Sequence, residues 1–297
     1  MAHPTAKETS GDGLRADGVE GKNPGRRPAE PARILVEREP GIATLTLNRP
    51  RVLNAIDRAT LVDLDRAIAQ IEADTSVRCV IVTGRGDRAF STGADVYELA
   101  RLSPEAAVAQ MRYGQAVFRR LSRLPQPVVA AVRGYALGGG FELVQWCDLV
   151  VAAEDAVFGH PEITLANVPG WGGSQVLPRL LGRPRAAWVV LSGARWPAGA
   201  MMATGLITQL VPADQVLSAA RALARDLSER SATALALAKR LVWDAEERPL
   251  TEGLRAEADA VGQCCKTEEQ RRAVAAFIRR RSSRDRGGQP EWEEPHR

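Results

Sequence analysis

Three short apolar runs, CVIVT (79–83), PVVAAV (127–132) and DLVVAA (148–153), do most to limit the fold. Each is brief, rich in valine and bounded by polar or turn residues, the pattern of a strand buried on both faces. Longer segments with helical spacing separate them. In 58–73, Leu61, Leu64, Ile68 and Ile71 recur at steps of three, four and three; Val108, Met111, Phe118 and Leu121 mark a second helix that ends before Pro125. Upstream, RILVER (33–38) and IATLTL (42–47) flank Pro40-Gly41 and read as a hairpin. One more helix precedes DLVVAA. Hairpin, helix, strand, helix, strand, helix, strand is an α/β order with crossover connections. ITQLV (207–211) is a candidate last strand, and 213–281 is helical in pattern, with breaks near Ser231 and Pro249. The expected divisions are an α/β core at 32–205 and a helical region at 206–281 suited to an appendage or a subunit contact. The ends, 1–31 and 282–297, are rich in Gly, Pro and charge and are expected to be disordered.

Several classes of function are excluded. No apolar run approaches the ~18–20 residues that cross a bilayer, and the first thirty residues lack the apolar stretch of a signal peptide. The four cysteines (Cys79, Cys147, Cys264, Cys265) show no CxxC spacing, so a reduced, cytoplasmic setting is expected. Of three histidines, His3 and His296 lie in the tails, leaving His160. A Ser-His-Asp triad would have to use it, and no GxSxG elbow is present. A His/Cys zinc site has too few ligands, and GxxxxGK[ST] is absent; no metal is expected. The formal charge of +4 is almost wholly arginine. It suits an anionic ligand or nucleic acid, and a general arginine bias accounts for it equally.

GRGDRA (84–89) follows a strand and resembles GxGxxA, but Phe90-Ser91-Thr92-Gly93 prevents the helix that motif must open. Gly138-Gly139-Gly140 differs, lying between the strand 127–132 and the helix-like FELVQWC. Three glycines let backbone approach a ligand, and N–H groups opening a helix favour negative charge. A tight turn would explain the triplet as well. Ser91-Thr92-Gly93-Ala94-Asp95 offers a second backbone stretch past another strand. Glu142 and Glu162 are twenty residues apart, with one helix–strand passage between them that returns both to one end of the sheet. Both sit among apolar neighbours, where carboxylates are seldom buried idly. They are either structural, with Arg133 or Arg179 as partner, or an acid–base pair whose protonation shifts with burial and mutual repulsion.

PVVAAVRGYALGGGFELVQWCDLVVAAEDAVFGHPEITLANVPGWGGSQVLPRLLG (127–182), NRPRVLNA (48–55) and FSTGAD (90–95) together resemble the crotonase superfamily, the enoyl-CoA hydratase/isomerase family. The similarity runs from about 33 to 281. It implies a crotonase-like spiral of β-β-α units with C-terminal helices that form trimers, commonly stacked as hexamers. It implies an oxyanion hole from the amides of Ala94 and Gly139, with Glu142 activating water and Glu162 exchanging the proton at Cα. Acyl-CoA would lie along Arg51, Val52, Thr92, Asp95, Val96, Tyr97, Leu137, Gly170 and Trp171, with Arg280 reaching a neighbouring subunit's CoA. Arg51 read alone is equally a solvated surface arginine.

Three residues depart from the family pattern. Tyr97 stands where a basic residue is common. His160 replaces Gln or another polar residue; it reads as a satisfied packing histidine, with a hydrogen bond beside the acid as the alternative. Trp171 replaces a smaller residue, which implies a short or planar acyl group. The implied activity is 2-enoyl-CoA hydration, with coenzyme A part of the substrate and no separate cofactor. Enoyl-CoA isomerisation or another crotonase chemistry is the alternative. RNA binding through Arg271, Arg272, Arg279, Arg280 and Arg281 is the alternative of another class. No stacking aromatics interleave with these arginines, so a solvated face accounts for them and nucleic acid is not an expected partner.

Overall fold

A computed structural model of the protein describes residues 32–284, with side chains through Arg281. The expected tails at 1–31 and 282–297 lie outside the described residues, except that 282–284 continue the last helix instead. The chain opens with the hairpin β1 (Ile34–Glu39) and β2 (Ile42–Leu47), then α1 (Arg58–Glu72) and β3 (Cys79–Gly84). Next come β4 (Ala89–Ser91), α2 (Val96–Leu99), α3 (Pro104–Ser122), β5 (Val128–Val132), β6 (Tyr135–Leu137) and α4 (Gly139–Gln145). After β7 (Leu149–Ala153) and β8 (Val157–Gly159) come α5 (Gly173–Leu181), α6 (Arg183–Ser192), β9 (Trp196–Pro197), α7 (Ala198–Met202) and β10 (Gln209–Val211). Helices α8 (Val216–Ser228), α9 (Ala232–Asp244), α10 (Leu250–Cys265) and α11 (Glu268–Arg284) complete it.

The long apolar strands form one sheet in the order β1-β2-β3-β5-β7-β10, parallel except for the β1–β2 hairpin. Every residue of β3 and β5 is buried, as their unbroken apolar sequences require. Helix α1 starts at Asp57, whose carboxylate accepts the Thr60 N–H at 2.8 Å, and it buries the predicted Leu61, Leu64, Ile68 and Ile71. β10 pairs with β7 at the sheet edge, and α8 packs across β3, β5 and β7. Ser231 caps α9, and Pro249 immediately precedes α10.

Strands of two or three residues form a second sheet, β4-β6-β8-β9. β3 then β4, β5 then β6, and β7 then β8 each send one strand to each sheet before the next helical segment, which is the spiral of β-β-α units. β4, β6 and β8 are mutually parallel, so the loops after them emerge at one edge. The segments that follow them carry Ala94, Gly139 and Glu162. Parallel register therefore gathers residues from three distant stretches of chain.

Candidate active site

Glycines allow two backbone segments to meet at that edge. Gly138 has φ +51°, which excludes other residues at little cost, and a Cβ on Gly140 would sit 2.3 Å from the Ser91 carbonyl. A Cβ placed on Gly139 would lie 3.3 Å from Ala94 N, and one on Gly93 would lie 2.6 Å from Gly139 N. Gly93 O and Asp95 N both bond to Ile56, so the Ala94 N–H points away from that strand-like contact. No described residue accepts a hydrogen bond from Ala94 N or Gly139 N. Two adjacent unpaired amides, one opening a helix, can bind a developing oxyanion.

Glu142 lies on the first turn of α4 and is 2% exposed. Its Oε1 accepts the N–H of Trp171 at 2.7 Å and of Gly173 at 2.8 Å. Burial pushes its carboxyl up to about 7; the His160 ring and the two amides oppose that rise, and Glu162 adds to it. Such a group can take up and release a proton near neutrality. Glu162 sits on the 3₁₀ turn Pro161–Leu165, with Oε1 3.3 Å from a Cβ built on Gly138. Its Oε2 is buried without a partner among the described residues. Neither Arg133 nor Arg179 pairs with the glutamates; Arg179 donates to the Gln175 carbonyl. The structural-partner reading of the pair is therefore replaced by backbone amides for Glu142 and a histidine for Glu162.

That histidine, His160, is a packed core side chain with both ring nitrogens partnered, one of them beside the acid. It is fully buried, yet Nδ1 stands 3.3 Å from Glu162 Oε1 and Nε2 stands 2.8 Å from Gln145 Nε2. Trp171 is 1% exposed, with its ring edge-on to Phe118 at 5.4 Å and wedged between Gly114 and Gly139. It forms a wall beside the Gly139 amide. Its carbonyl accepts the Trp146 indole N–H at 2.8 Å.

The remaining predicted residues divide in two groups. Arg51 and Val52 are exposed on a 3₁₀ turn (Pro50–Val52), joined to the next loop by the Thr92 N–H, which donates to Leu53 O at 3.1 Å. Val96 and Tyr97 are exposed on α2 nearby, while Leu137 is buried at the end of β6. The Gly170 carbonyl accepts from Gln115. Asp95 is already committed, since it caps α2 through Tyr97 N and accepts both Arg49 guanidinium nitrogens at 3.1 Å. Arg280 is exposed on α11, which packs on α10.

Sequence reasoning missed Arg49 and Asn54. Asn54 is 1% exposed with φ +56° and binds Arg49 N, Arg85 O and Ala89 O, tying this turn to β4. An asparagine amid turn residues, able to adopt the left-handed region, was the available signal. Among the described residues no group of three His, Cys, Asp or Glu is placed to hold a metal ion, and no helix is long and apolar enough to cross a membrane.

Known proteins resemble this chain in sequence and in fold. The family model for enoyl-CoA hydratase/isomerase matches residues 37–289, and the chain belongs to that family. It is 40% identical over 249 residues to a probable enoyl-CoA hydratase, echA8, of Mycobacterium tuberculosis, covering 84% of this chain and 96% of that one. A short-chain-enoyl-CoA hydratase of Clostridium acetobutylicum is 36% identical over 248 residues, 84% of this chain and 95% of its own. The crystal structure of an enoyl-CoA hydratase from Bacillus anthracis superposes with a TM-score of 0.81 at 34% identity, covering 84% of this chain and 96% of that one.

Proposed function

We propose that the protein adds water reversibly across the α,β-double bond of a 2-enoyl-CoA. One observation carries the reading: two unpaired amides, Ala94 and Gly139, stand beside two carboxylates, Glu142 and Glu162, that no arginine neutralises. The thioester oxygen accepts both amides. Glu142, with Oε1 held by backbone, takes a proton from water as the water oxygen bonds to Cβ. The π electrons move to the thioester as an enolate, and Glu162 donates a proton to Cα. Donors preorganised for the enolate supply on the order of several kcal/mol.

CoA then lies over the turn of Arg51 and Val52 and over Thr92, Val96 and Tyr97, with Leu137 and Gly170 toward the acyl group. Asp95 shapes this loop through Arg49. Trp171 closes the space behind Gly139 and favours short acyl chains. The reaction needs no cofactor beyond the CoA of the substrate. Four free thiols support a reducing, cytoplasmic setting. Exposed Leu250, Leu254 and Val261 on α10, with Val274, Phe277 and Ile278 on α11, support assembly as a trimer or hexamer, placing Arg280 toward a neighbour's CoA. Arg271 and Arg272 both reach Glu268, which supports a solvated face over RNA contact.

Crotonyl-CoA hydration by wild type, Glu142→Ala and Glu162→Ala tests the reading. Both variants are expected to lose roughly 10²–10⁴ in kcat. A wild type inactive on 2-enoyl-CoAs of every length sinks it. Loss confined to Glu162→Ala indicates isomerisation instead.

A further inference from the structure

His160 is the only histidine among the described residues, and none of it reaches solvent. Its two ring nitrogens face chemically different neighbours. The Gln145 amide nitrogen is 2.8 Å from Nε2, and an amide nitrogen can only donate. Nε2 must then present its lone pair, so the single proton of a neutral ring resides on Nδ1. That proton points at Glu162 Oε1, 3.3 Å away, which accepts it whether Glu162 is ionised or carries its own proton on Oε2. Turning the Gln145 amide over would bring its Oε1, buried without a partner as placed, to a ring proton on Nε2, and would leave the Nδ1 of a neutral ring facing an ionised Glu162 acceptor to acceptor.

The ring cannot swing away. Phe141 lies against it, with centroids 4.9 Å apart, and a Cβ on Gly173 would meet its Cε1 at 2.5 Å. The same Gly173 donates its N–H to Glu142. One imidazole therefore touches the framework of both glutamates, holding Glu162 by a hydrogen bond and packing on the residue that holds Glu142.

We propose that His160, fixed as its Nδ1–H tautomer by Gln145, is a positioning residue for Glu162. It ties up Oε1 and leaves Oε2, buried and without a partner, as the oxygen that exchanges a proton with the substrate. The catalytic part rests on the hydratase reading; the tautomer does not.

Two measurements on the full chain test it. A long-range ¹H–¹⁵N correlation spectrum of histidine-labelled protein near pH 7.5, with His160 assigned by its loss in His160→Gln, reads the ring directly. A protonated Nδ1 and bare Nε2 are expected; a ring protonated on Nε2, alone or with Nδ1, overturns the proposal. Crotonyl-CoA kinetics read the positioning. His160→Gln, whose amide can still donate, keeps kcat within about fivefold. His160→Leu fills the space without a donor and loses roughly 10–100-fold in kcat with KM nearly unchanged. Full activity in the leucine variant, or equal loss in both with melting temperatures unchanged, also overturns it. If either variant melts early, Gln145→Leu replaces it as the perturbation: the Nδ1–H signal must then shift or split, and an unchanged ring refutes the part given to Gln145. A wild type without hydratase activity removes the functional reading alone, since the ring proton is measured independently.

Discussion

The indole of Trp171 lies so close to Gly139 that a Cβ there would meet Cζ3 at 2.3 Å and Cε3 at 2.4 Å. Gly139→Ala must therefore move the ring, the backbone or both. Overpacking of this kind costs about 1–3 kcal/mol, and the displaced amide lowers kcat roughly 100-fold or more. In a Trp171→Ala background the stability cost of Gly139→Ala should shrink below about 0.5 kcal/mol. Urea denaturation of the four proteins checks this; strictly additive costs would mean that the contact is not the cause.

Trp171 also bounds the acyl group. Trp171→Ala opens the volume between Gly114 and Gly139 at a stability cost of about 3–5 kcal/mol. The ratio of kcat/KM for 2-decenoyl-CoA over crotonyl-CoA is expected to rise roughly tenfold or more, since each methylene buried contributes about 0.8 kcal/mol. An unchanged ratio shows that the chain runs elsewhere.

Glu142 links acid–base chemistry to stability. Its carboxyl titrates near 4.5 when solvated and at about 7 in the fold. Between these values the folded state holds a proton that the unfolded chain has released, so stability falls as pH rises from about 4.5 to about 7 and then levels off. The full effect is on the order of 3 kcal/mol. Glu142→Gln keeps an oxygen for the Trp171 and Gly173 amides and removes the titration. Urea midpoints at pH 5 and pH 8 should show wild type losing this increment and the variant not losing it. Because the water-activating form is the carboxylate, wild-type kcat/KM should climb through about pH 7.

Arg49 braces the loop that carries Ala94. Its guanidinium reaches Asp95 at 3.1 Å, Asp57 at 3.2 Å and the Ala55 carbonyl at 2.6 Å. Arg49→Ala takes from Asp95 its guanidinium partner, while Asp57 keeps Arg33 at 2.6 Å, and should cost roughly 1–3 kcal/mol. It should also lower kcat/KM about 10–100-fold as the loop loosens. Lysine has the charge but not the fork, so Arg49→Lys should recover little of either. Thermal melts and steady-state kinetics of both variants decide.

Thiol reactivity reports the burial of β3 and of the turn that follows α4. Burial pushes the Cys79 thiol up to about 12 and raises that of Cys147 as well. Cys264 and Cys265 on α10 are partly or fully exposed. Titration with an aromatic disulfide should find two reactive thiols in the native protein and four in denaturant. Four rapid thiols under native conditions would contradict this packing.

Much of the fold was legible. Helix α1 and strands β3, β5 and β7 fall where valine runs and three–four spacing put them, because burial of a face imposes that periodicity on sequence. β4, β6 and β8 escaped, since three residues are too few for any alternation to show. Only the resemblance implied their sheet. Arg49, inside the NRPRVLNA motif, went unassigned because nothing in a linear chain reveals that it will meet Asp95 forty-six residues on.

By itself the sequence determined which residue types were available: one histidine in the folded region, two glutamates in apolar settings, and a glycine triplet at the mouth of a helix. Composition and local spacing suffice for that. Only the tertiary structure decided what each one faces. Parallel register of β4, β6 and β8 sets Ala94 beside Gly139. Close packing makes His160, a core side chain, the hydrogen-bond partner of Glu162. Direction and distance between remote segments are properties of the folded chain, and those set how the two glutamates are held.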